Sequence, residues 1–441
     1  RLHGLVARKL EELYQGSLDQ CPEMPHALAR HFEVAGLADK AVQYYTRAGK
    51  DALRLSANRE AVDHFYSALR LLQALPATPE RDRQELDLQL SLGPPLTATK
   101  GWAPPELAAA YARAQELCEK VDDHAQLIPA LWLLATYRLG RSEHAEASRL
   151  SEQLFRLAQQ AGDPALLALA SLQVSPFYQG RFAEARRLLE RASAVLDVEQ
   201  QRTLALQYGM APAVVALAYL AECLWLLGFS DESDRRIQEA RELAEKVQHP
   251  MAVCYALGRS CWLAAMQGEL EDARGYATGL GQVAQKSGLE SFALAARFWE
   301  HWAANQGGAP TADGLAQMHQ AMEDYRATGT VFNRTGFLAF FGQACGTAGE
   351  IARGLAAVDE SLALAEQTGE LWFQAEALQI KGELLCLQAG NQAEPEVSLR
   401  EAEACFERAR HVARQQGATS LLQKLDRVEF QPKPAEPASQ K

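Results

Sequence analysis

Apolar and polar positions along this chain repeat with the period of a helix. In Asn58–Leu72, NREAVDHFYSALRLL, the residues Ala61, Phe65 and Ala68 fall at i, i+4 and i+7 and share one face. A small, a large and a small side chain on one face let a helix sit close against two neighbours. The same grammar returns as Ala41/Tyr45/Ala48, Ala185/Leu189/Ala192 and Ala402/Phe406/Ala409, and more loosely as Ser233/Ile237/Ala240. A pattern that recurs along a chain predicts a repeat architecture.

Glycines set the spacing of the repeat. Gly140, Gly180, Gly228, Gly268, Gly308, Gly349 and Gly390 each stand between two helical runs, at steps of 40, 48, 40, 40, 41 and 41. A second marker closes each unit: Leu157-Ala158 before Gly162, Leu243-Ala244 before His249-Pro250, Val283-Ala284 before Gly288, Leu364-Ala365 before Gly369 and Val412-Ala413 before Gly417. Each unit therefore reads as helix, glycine turn, helix, second turn. Alternating strand patterns are missing, and Val and Ile are sparse beside Ala and Leu. One helix pair cannot bury its apolar stripe alone, so stacked pairs must cover one another. The prediction is an all-α solenoid of roughly ten antiparallel helix pairs, a right-handed superhelix.

Ahead of the array, Arg1–Tyr14 reads as an amphipathic helix with Leu2, Leu5, Val6, Lys9, Leu10 and Leu13 on its repeating face. Gly16–Pro25 reads as a break. Helices follow over Pro25–Ala35, Ala38–Leu55, Asn58–Leu75 and Glu80–Leu92. Gly93–Pro105, GPPLTATKGWAPP, holds four prolines and two glycines and is expected to be an irregular loop. The expected organisation is 1–24 as the end of an upstream module and linker, 25–92 as the first helices, 93–105 as the loop, 106–429 as the main array and 430–441 as a disordered tail. An Arg1 start inside a helical pattern suggests that upstream sequence has been removed.

Composition narrows the function classes. The chain has 441 residues and a net charge of −12, from 44 basic and 56 acidic residues. Nucleic acid and anionic membrane both demand clustered Lys and Arg, so neither is expected as a partner. No secretory signal is legible, and Ala211–Leu227, broken by Glu222, is short for a membrane span and reads as a core helix. Eight cysteines without a C-x-x-C pair read as buried thiols, which fits a cytoplasmic protein.

No chemistry-bearing motif emerges. The chain has no G-x-x-x-x-G-K-[ST], no H-E-x-x-H and no G-x-S-x-G. Lys100 precedes Gly101 with no strand leading in, so a phosphate loop is not expected there. Asp122-Asp123 reads as a solvated turn, and Cys254/Cys261 as two core thiols. The reading is a non-enzyme with no cofactor and no metal.

The aromatic residues offer more. Tyr137, Phe177, Trp225, Trp262 and Trp302 fall in the last two turns of the first helix of their units. In stacked pairs that helix lines the concave surface, so the five rings would form a row in a groove, where aromatic residues anchor protein partners. Burial between repeats is the simpler alternative. Arg138 and Glu222 are charged candidates on the same surface, with a solvated or locally paired role as their alternative.

Several stretches carry a resemblance: Gly36-Leu-Ala-Asp-Lys-Ala41, Arg47-Ala48-Gly49, Ala57-Asn-Arg-Glu-Ala61, Gly93–Gly101, Gly382-Glu-Leu-Leu385, Glu401-Ala402-Glu-Ala-Cys-Phe406 and Ala413-Arg-Gln-Gln-Gly417. Together they resemble the C-terminal tetratricopeptide-repeat (TPR) region of large bacterial predicted ATPases. The unit of about 40 residues is longer than the roughly 34 of a standard TPR. Members of that family often carry a class III adenylate/guanylate cyclase domain, or sometimes a kinase, then a STAND-type or AAA ATPase module. The resemblance implies an interaction and sensor scaffold that holds a protein or peptide in its concave groove and regulates an upstream ATPase or cyclase module in cis. Arg1–Tyr14 looks like the last helix of the module that follows the ATPase core. A free-standing TPR adaptor bridging protein partners is the other reading.

Overall fold

A computed structural model of the chain describes residues 2–14, 21, 23–121, 124–194, 197–308, 310–392 and 394–427. The expected turn at Asp122-Asp123, most of the Gly16–Pro25 break and the tail from Phe430 lie outside them. Among the described residues there are 24 helices and no strand, and the architecture is an all-α helical-repeat solenoid.

Two kinds of helix alternate. Inner helices are the more buried kind, and all fifteen residues of Pro212–Leu226 are buried. Outer helices such as Ser230–Val247, Leu270–Ser287 and Ile351–Thr368 bury only one stripe. The small–large–small faces are the stripes that vanish from solvent: Ala61, Phe65 and Ala68 are fully buried, as are Ala185 and Leu189. Their close approach is real. A side chain at Gly342 would meet the Gly354 carbonyl 2.9 Å away, so these two glycines set the crossing of Arg334–Thr347 over Ile351–Thr368.

Gly180, Gly228, Gly268, Gly308 and Gly349 hold φ between 72° and 93°, the left-handed turn the spacing predicts. Gly140 and Gly390 depart from it. Gly390 is right-handed, at φ −61°. Gly140 ends its helix His124–Gly140, and Ser142 takes the positive φ instead. A side chain at Gly140 would stand 3.0 Å from Cβ of Trp102. The long step of 48 accommodates an additional helix, Val198–Tyr208, started by an Asp197 cap on the Gln200 N–H and ended by left-handed Gly209.

Two expectations need correction here. The first is the loop. Gly93–Lys100 is a helix, continuing from Pro79–Ser91 through a bend at Leu92, and its prolines sit in the first turn. A first-turn N–H has no intrahelical acceptor, so proline costs nothing there. The helix is buried and braces the chain: Pro94 lies beside Gly209, and Gly101 lies beside Ser291 and Thr328. The second is the N-terminal helix Leu2–Tyr14. Its buried positions are Gly4 and Ala7, while Leu2, Leu5 and Leu13 face solvent.

The solenoid also coils onto itself. Its second superhelical turn rests on its first, in a register of about 160–230 residues. Trp102 N–H donates to Thr330 Oγ1 across 228 positions, and Ser142 Oγ to Glu370 across the same interval. The Gly140 carbonyl accepts from Val331 and Phe332 at 2.7 and 3.3 Å; the Tyr178 carbonyl accepts from Leu371 and Trp372 at 2.7 and 3.0 Å. Farther along, Ser420 bonds the Trp225 carbonyl and Lys424 the Met266 carbonyl. Two copies of one motif make the middle of this seam: Thr328-Gly329-Thr330-Val331-Phe332 and Thr368-Gly369-Glu370-Leu371-Trp372. In each, a left-handed glycine turns two successive N–H groups toward one carbonyl of the first turn. The expected open groove is therefore filled by the chain's own side chains.

Candidate functional site: the polar hub between the two turns

Where the turns meet, charged groups lie inside the aromatic core. Pro212–Leu226 and Pro250–Gln267 each carry one charged residue in an otherwise uncharged sequence, Glu222 and Arg259. Both are buried, and they form an ion pair. Removing two ions from water costs several kcal/mol each, so each depends on the other. The Arg259 guanidinium also faces the rings of Tyr219 (4.2 Å to the centroid), Phe177 (5.4 Å), Trp372 (5.6 Å) and Trp262 (5.9 Å). Desolvated cation–π contacts of this kind contribute about 2 kcal/mol.

Asn333 and Glu370 extend the hub. Tyr219 OH donates to Tyr178 OH at 2.6 Å, and Tyr178 OH to Asn333 Oδ1 at 3.0 Å. Arg259 Nη1 reaches the same oxygen at 3.4 Å. Asn333 holds φ 67°, a left-handed conformation for a buried non-glycine residue. Its N–H donates to Glu370 Oε1 at 2.9 Å. That carboxyl, itself fully buried, also accepts from Thr335 Oγ1 (2.6 Å), Trp372 Nε1 (3.3 Å) and Ser142 Oγ (2.9 Å). One carboxyl thus joins three segments from both turns. Burial pushes its pKa up, and the hydrogen bonds hold the rise back. An acid raised in the folded state binds its proton more tightly there, so its contribution to stability falls as pH climbs past the usual carboxylate range.

His144 stacks on Tyr178 with centroids 5.6 Å apart, and neither ring nitrogen has a hydrogen-bond partner. Burial lowers its pKa to about 4. Stability from this neutral imidazole is present above the unfolded value near 6.5 and is lost as pH falls from there toward 4. The expected loss between pH 7.5 and pH 5 is about 2 kcal/mol from this group. In His144→Phe, which keeps the stack, thermal melts at the two pH values should differ by that much less than in the parent; an unchanged difference would contradict the assignment.

The hub is short of room for chemistry. A cavity of about 50 Å³ adjoins Arg259, Asn333, Ser291 and Tyr255, room for one or two waters. Among the described residues no three His, Cys, Asp or Glu side chains stand close enough to share a metal ion. The hub has donors, acceptors and charges, and most of them meet another group of the chain, while both His144 ring nitrogens and Ser291 Oγ have no hydrogen-bond partner. What it does is fix one superhelical turn on the next.

The residues singled out from sequence separate into three groups. Phe177, Glu222 and Trp262 belong to the hub. Trp225 is buried under the C-terminal helix Thr419–Arg427, with Lys424 Nζ 5.0 Å over its ring; Trp302 is buried one layer on, bonded to Gln343. Tyr137 and Arg138 sit at the edge, where Arg138 pairs with Glu143 at 2.6 Å. Phe177, Trp225, Trp262 and Trp302 are buried between repeats, whereas Tyr137 is half-buried. Glu222 and Arg138 are both locally paired. Sequence reading missed Arg259, Tyr178, Tyr219, Asn333 and Glu370. The lone acid and the lone base in consecutive apolar helices were a signal, as was the Thr-Gly motif repeated after forty residues.

No family model matches the chain. An uncharacterized protein of Rhizobium meliloti (strain 1021) is 24% identical over 408 residues, which is 90% of this chain and 38% of that protein. The chain thus spans well under half the length of the curated relative it matches. Among solved structures, a Rap protein complexed with competence and sporulation factor aligns with a TM-score of 0.56 at 10% identity, over 85% of this chain and 98% of that one. That is a likeness of fold, and it agrees with a TPR-like helical-repeat solenoid. A STAND signal-transduction ATPase with a tetratricopeptide-repeat sensor, from Pyrococcus horikoshii, aligns at 12% identity over 92% of this chain and 69% of that one, with a TM-score of 0.41, too low to carry an argument.

Proposed function

We propose that this chain is a protein-interaction scaffold, the TPR arm of a multidomain bacterial signalling protein whose upstream module is an ATPase or an adenylate/guanylate cyclase. The observation that carries this reading is the closed seam. Two stacked turns, fastened at Trp102, Gly140, Ser142, Tyr178, Trp225 and Met266, make one stiff body whose interior is filled. Such a body acts by the surfaces it presents. The resemblance in sequence, and the far greater length of the Rhizobium relative, support an arm joined to other modules.

The mechanism is differential binding. A partner held better in one arrangement of the upstream module shifts that module's activity by its difference in affinity for the two arrangements. Contacts fall on the outer helices and the ends of the solenoid, not on a central groove. The test is to delete residues 24–427 from the longer polypeptide and measure nucleotide hydrolysis or cyclisation. A several-fold change in output is expected; an output the same as the parent's would end the regulatory reading.

A further inference from the structure

Three junctions between successive outer helices are closed in the same way. Arg191 of Phe182–Ser193 lies 4.9 Å over the Phe155 ring of His144–Ala161. Arg186 lies 4.7 Å over Phe229, the residue that starts Ser230–Val247, and Arg241 lies 4.8 Å over Tyr276 of Leu270–Ser287. In each, a guanidinium from one outer helix covers an aromatic ring from its neighbour. The junction of Ala312–Ala327 with Ile351–Thr368 is built differently. Arg353 lies 4.9 Å over Phe341, a ring of the inner helix Arg334–Thr347, and the outer helix sets only Ala356 and Ala357 beside it. What remains is a cavity of about 190 Å³ on the outer face. Its floor is Met322, Phe337, Leu338 and Phe341, all buried. Its rim is charged, and the charges are matched: Arg334 pairs with Glu360 at 3.2 Å, Arg353 with Glu350 at 3.0 Å and Glu323 with Arg326 at 2.6 Å.

We propose that this cavity is an anchor pocket for one aromatic side chain of a protein partner that docks on the outer helices. Size points to a single ring: an apolar cavity of about 150 Å³ holds benzene, so this one admits a phenyl or phenol group and little more. Charge points the same way. Matched cations and anions on the rim leave no net charge to draw an ion, whereas a guanidinium attracts the electron-rich face of a neutral ring. In the three closed junctions the chain supplies that outer ring itself; here the place beside Arg353 is left to an incoming one. An aromatic residue seated in an apolar pocket with a polar rim is the kind of contact that dominates the energy of a protein interface. This inference rests on the scaffold reading above and names a surface through which the scaffold holds its partner.

The test uses residues 1–441 with isotope-labelled methionine methyl groups, read by NMR, and N-acetyl-L-phenylalaninamide as the probe. A ring in the pocket shifts the Met322 methyl resonance, because that side chain is part of the floor. A saturable shift is expected, with a Kd on the order of 1 mM for so small a ligand, and N-acetyl-L-alaninamide should cause none. Ala356→Phe, at an exposed position, supplies a ring from the chain itself and should abolish the shift. Arg353→Gln should weaken binding about two- to fivefold. A Met322 resonance that stays still, or that responds equally in Ala356→Phe, would overturn the proposal. So would free L-phenylalanine binding at least tenfold tighter than the blocked probe, since the pocket would then serve a small molecule. A dimer of residues 1–441 that Ala356→Phe returns to monomer would overturn it too, because a second copy would then fill the pocket. The probe needs neither a partner nor the longer polypeptide, so its binding combined with unchanged catalytic output after deletion of 24–427 would uphold the pocket while ending the regulatory reading.

Discussion

Arg259→Met is expected to destabilise the protein by about 3–5 kcal/mol, because it leaves the Glu222 carboxylate buried without its cation. Methionine fills much of the volume, so the loss reports on charge and on the four facing rings more than on a void. The companion variant Glu222→Leu/Arg259→Met removes both ions and should recover most of the loss, since a well-packed apolar pair replaces a buried ion pair at little or no cost. Urea midpoints followed by tryptophan fluorescence are a suitable measure, as Trp262 and Trp372 both face the guanidinium. If the single variant melts like the parent, the ion pair is not what anchors the hub.

Gly329→Ala is expected to cost about 2–5 kcal/mol and to loosen the seam. Two effects add. At φ 77° an L side chain is strained by about 1–2 kcal/mol. Its Cβ would also stand 2.5 Å from the Ala103 carbonyl, backbone that cannot swing away, and overpacking of that kind adds about 1–3 kcal/mol. Gly349→Ala is the matched control. It has φ 80° and open space around it, so only the strain applies. The displaced segment carries Trp102, whose ring meets Tyr255, Phe292 and Phe332 edge-on at 5.6, 6.4 and 6.0 Å. Faster amide exchange at Val331 and Phe332, with their bonds to the Gly140 carbonyl weakened, should accompany the loss; equal costs at 329 and 349 would show that the seam is not under pressure there.

The repeat was legible because its causes are local. Small–large–small faces, glycine turns and second markers all act within one helix pair, and most turn glycines have the backbone they imply. The Gly93–Lys100 helix is not legible from the number of its prolines, because their position decides: in a first turn they are compatible with a helix. The leucine face of Leu2–Tyr14 was visible as a pattern, but periodicity does not say which side of a helix a neighbour takes. The hub was hidden for a different reason. Its members come from Ser142, Tyr178, Glu222, Arg259, Asn333 and Glu370, and only the rise of the superhelix brings them together. A per-unit reading has no measure of that rise, so it leaves burial between repeats and partner anchoring both open for the rings of the inner face.

The seam also bears on how such a chain reaches its folded state. A contact across 228 positions must close a very long loop, and the entropy of closure grows with the logarithm of that length. Neighbouring stitches share nearly the same register, so once one forms the rest close short loops. Helix pairs can therefore assemble early and locally, while the joining of the turns waits for the Thr368–Trp372 stretch. During synthesis, Phe177, Tyr178 and Trp262 leave the ribosome more than a hundred residues before Trp372 arrives to cover them. Over that interval the nascent chain exposes an aromatic surface, and its yield in cells should depend on chaperones more than its final stability does.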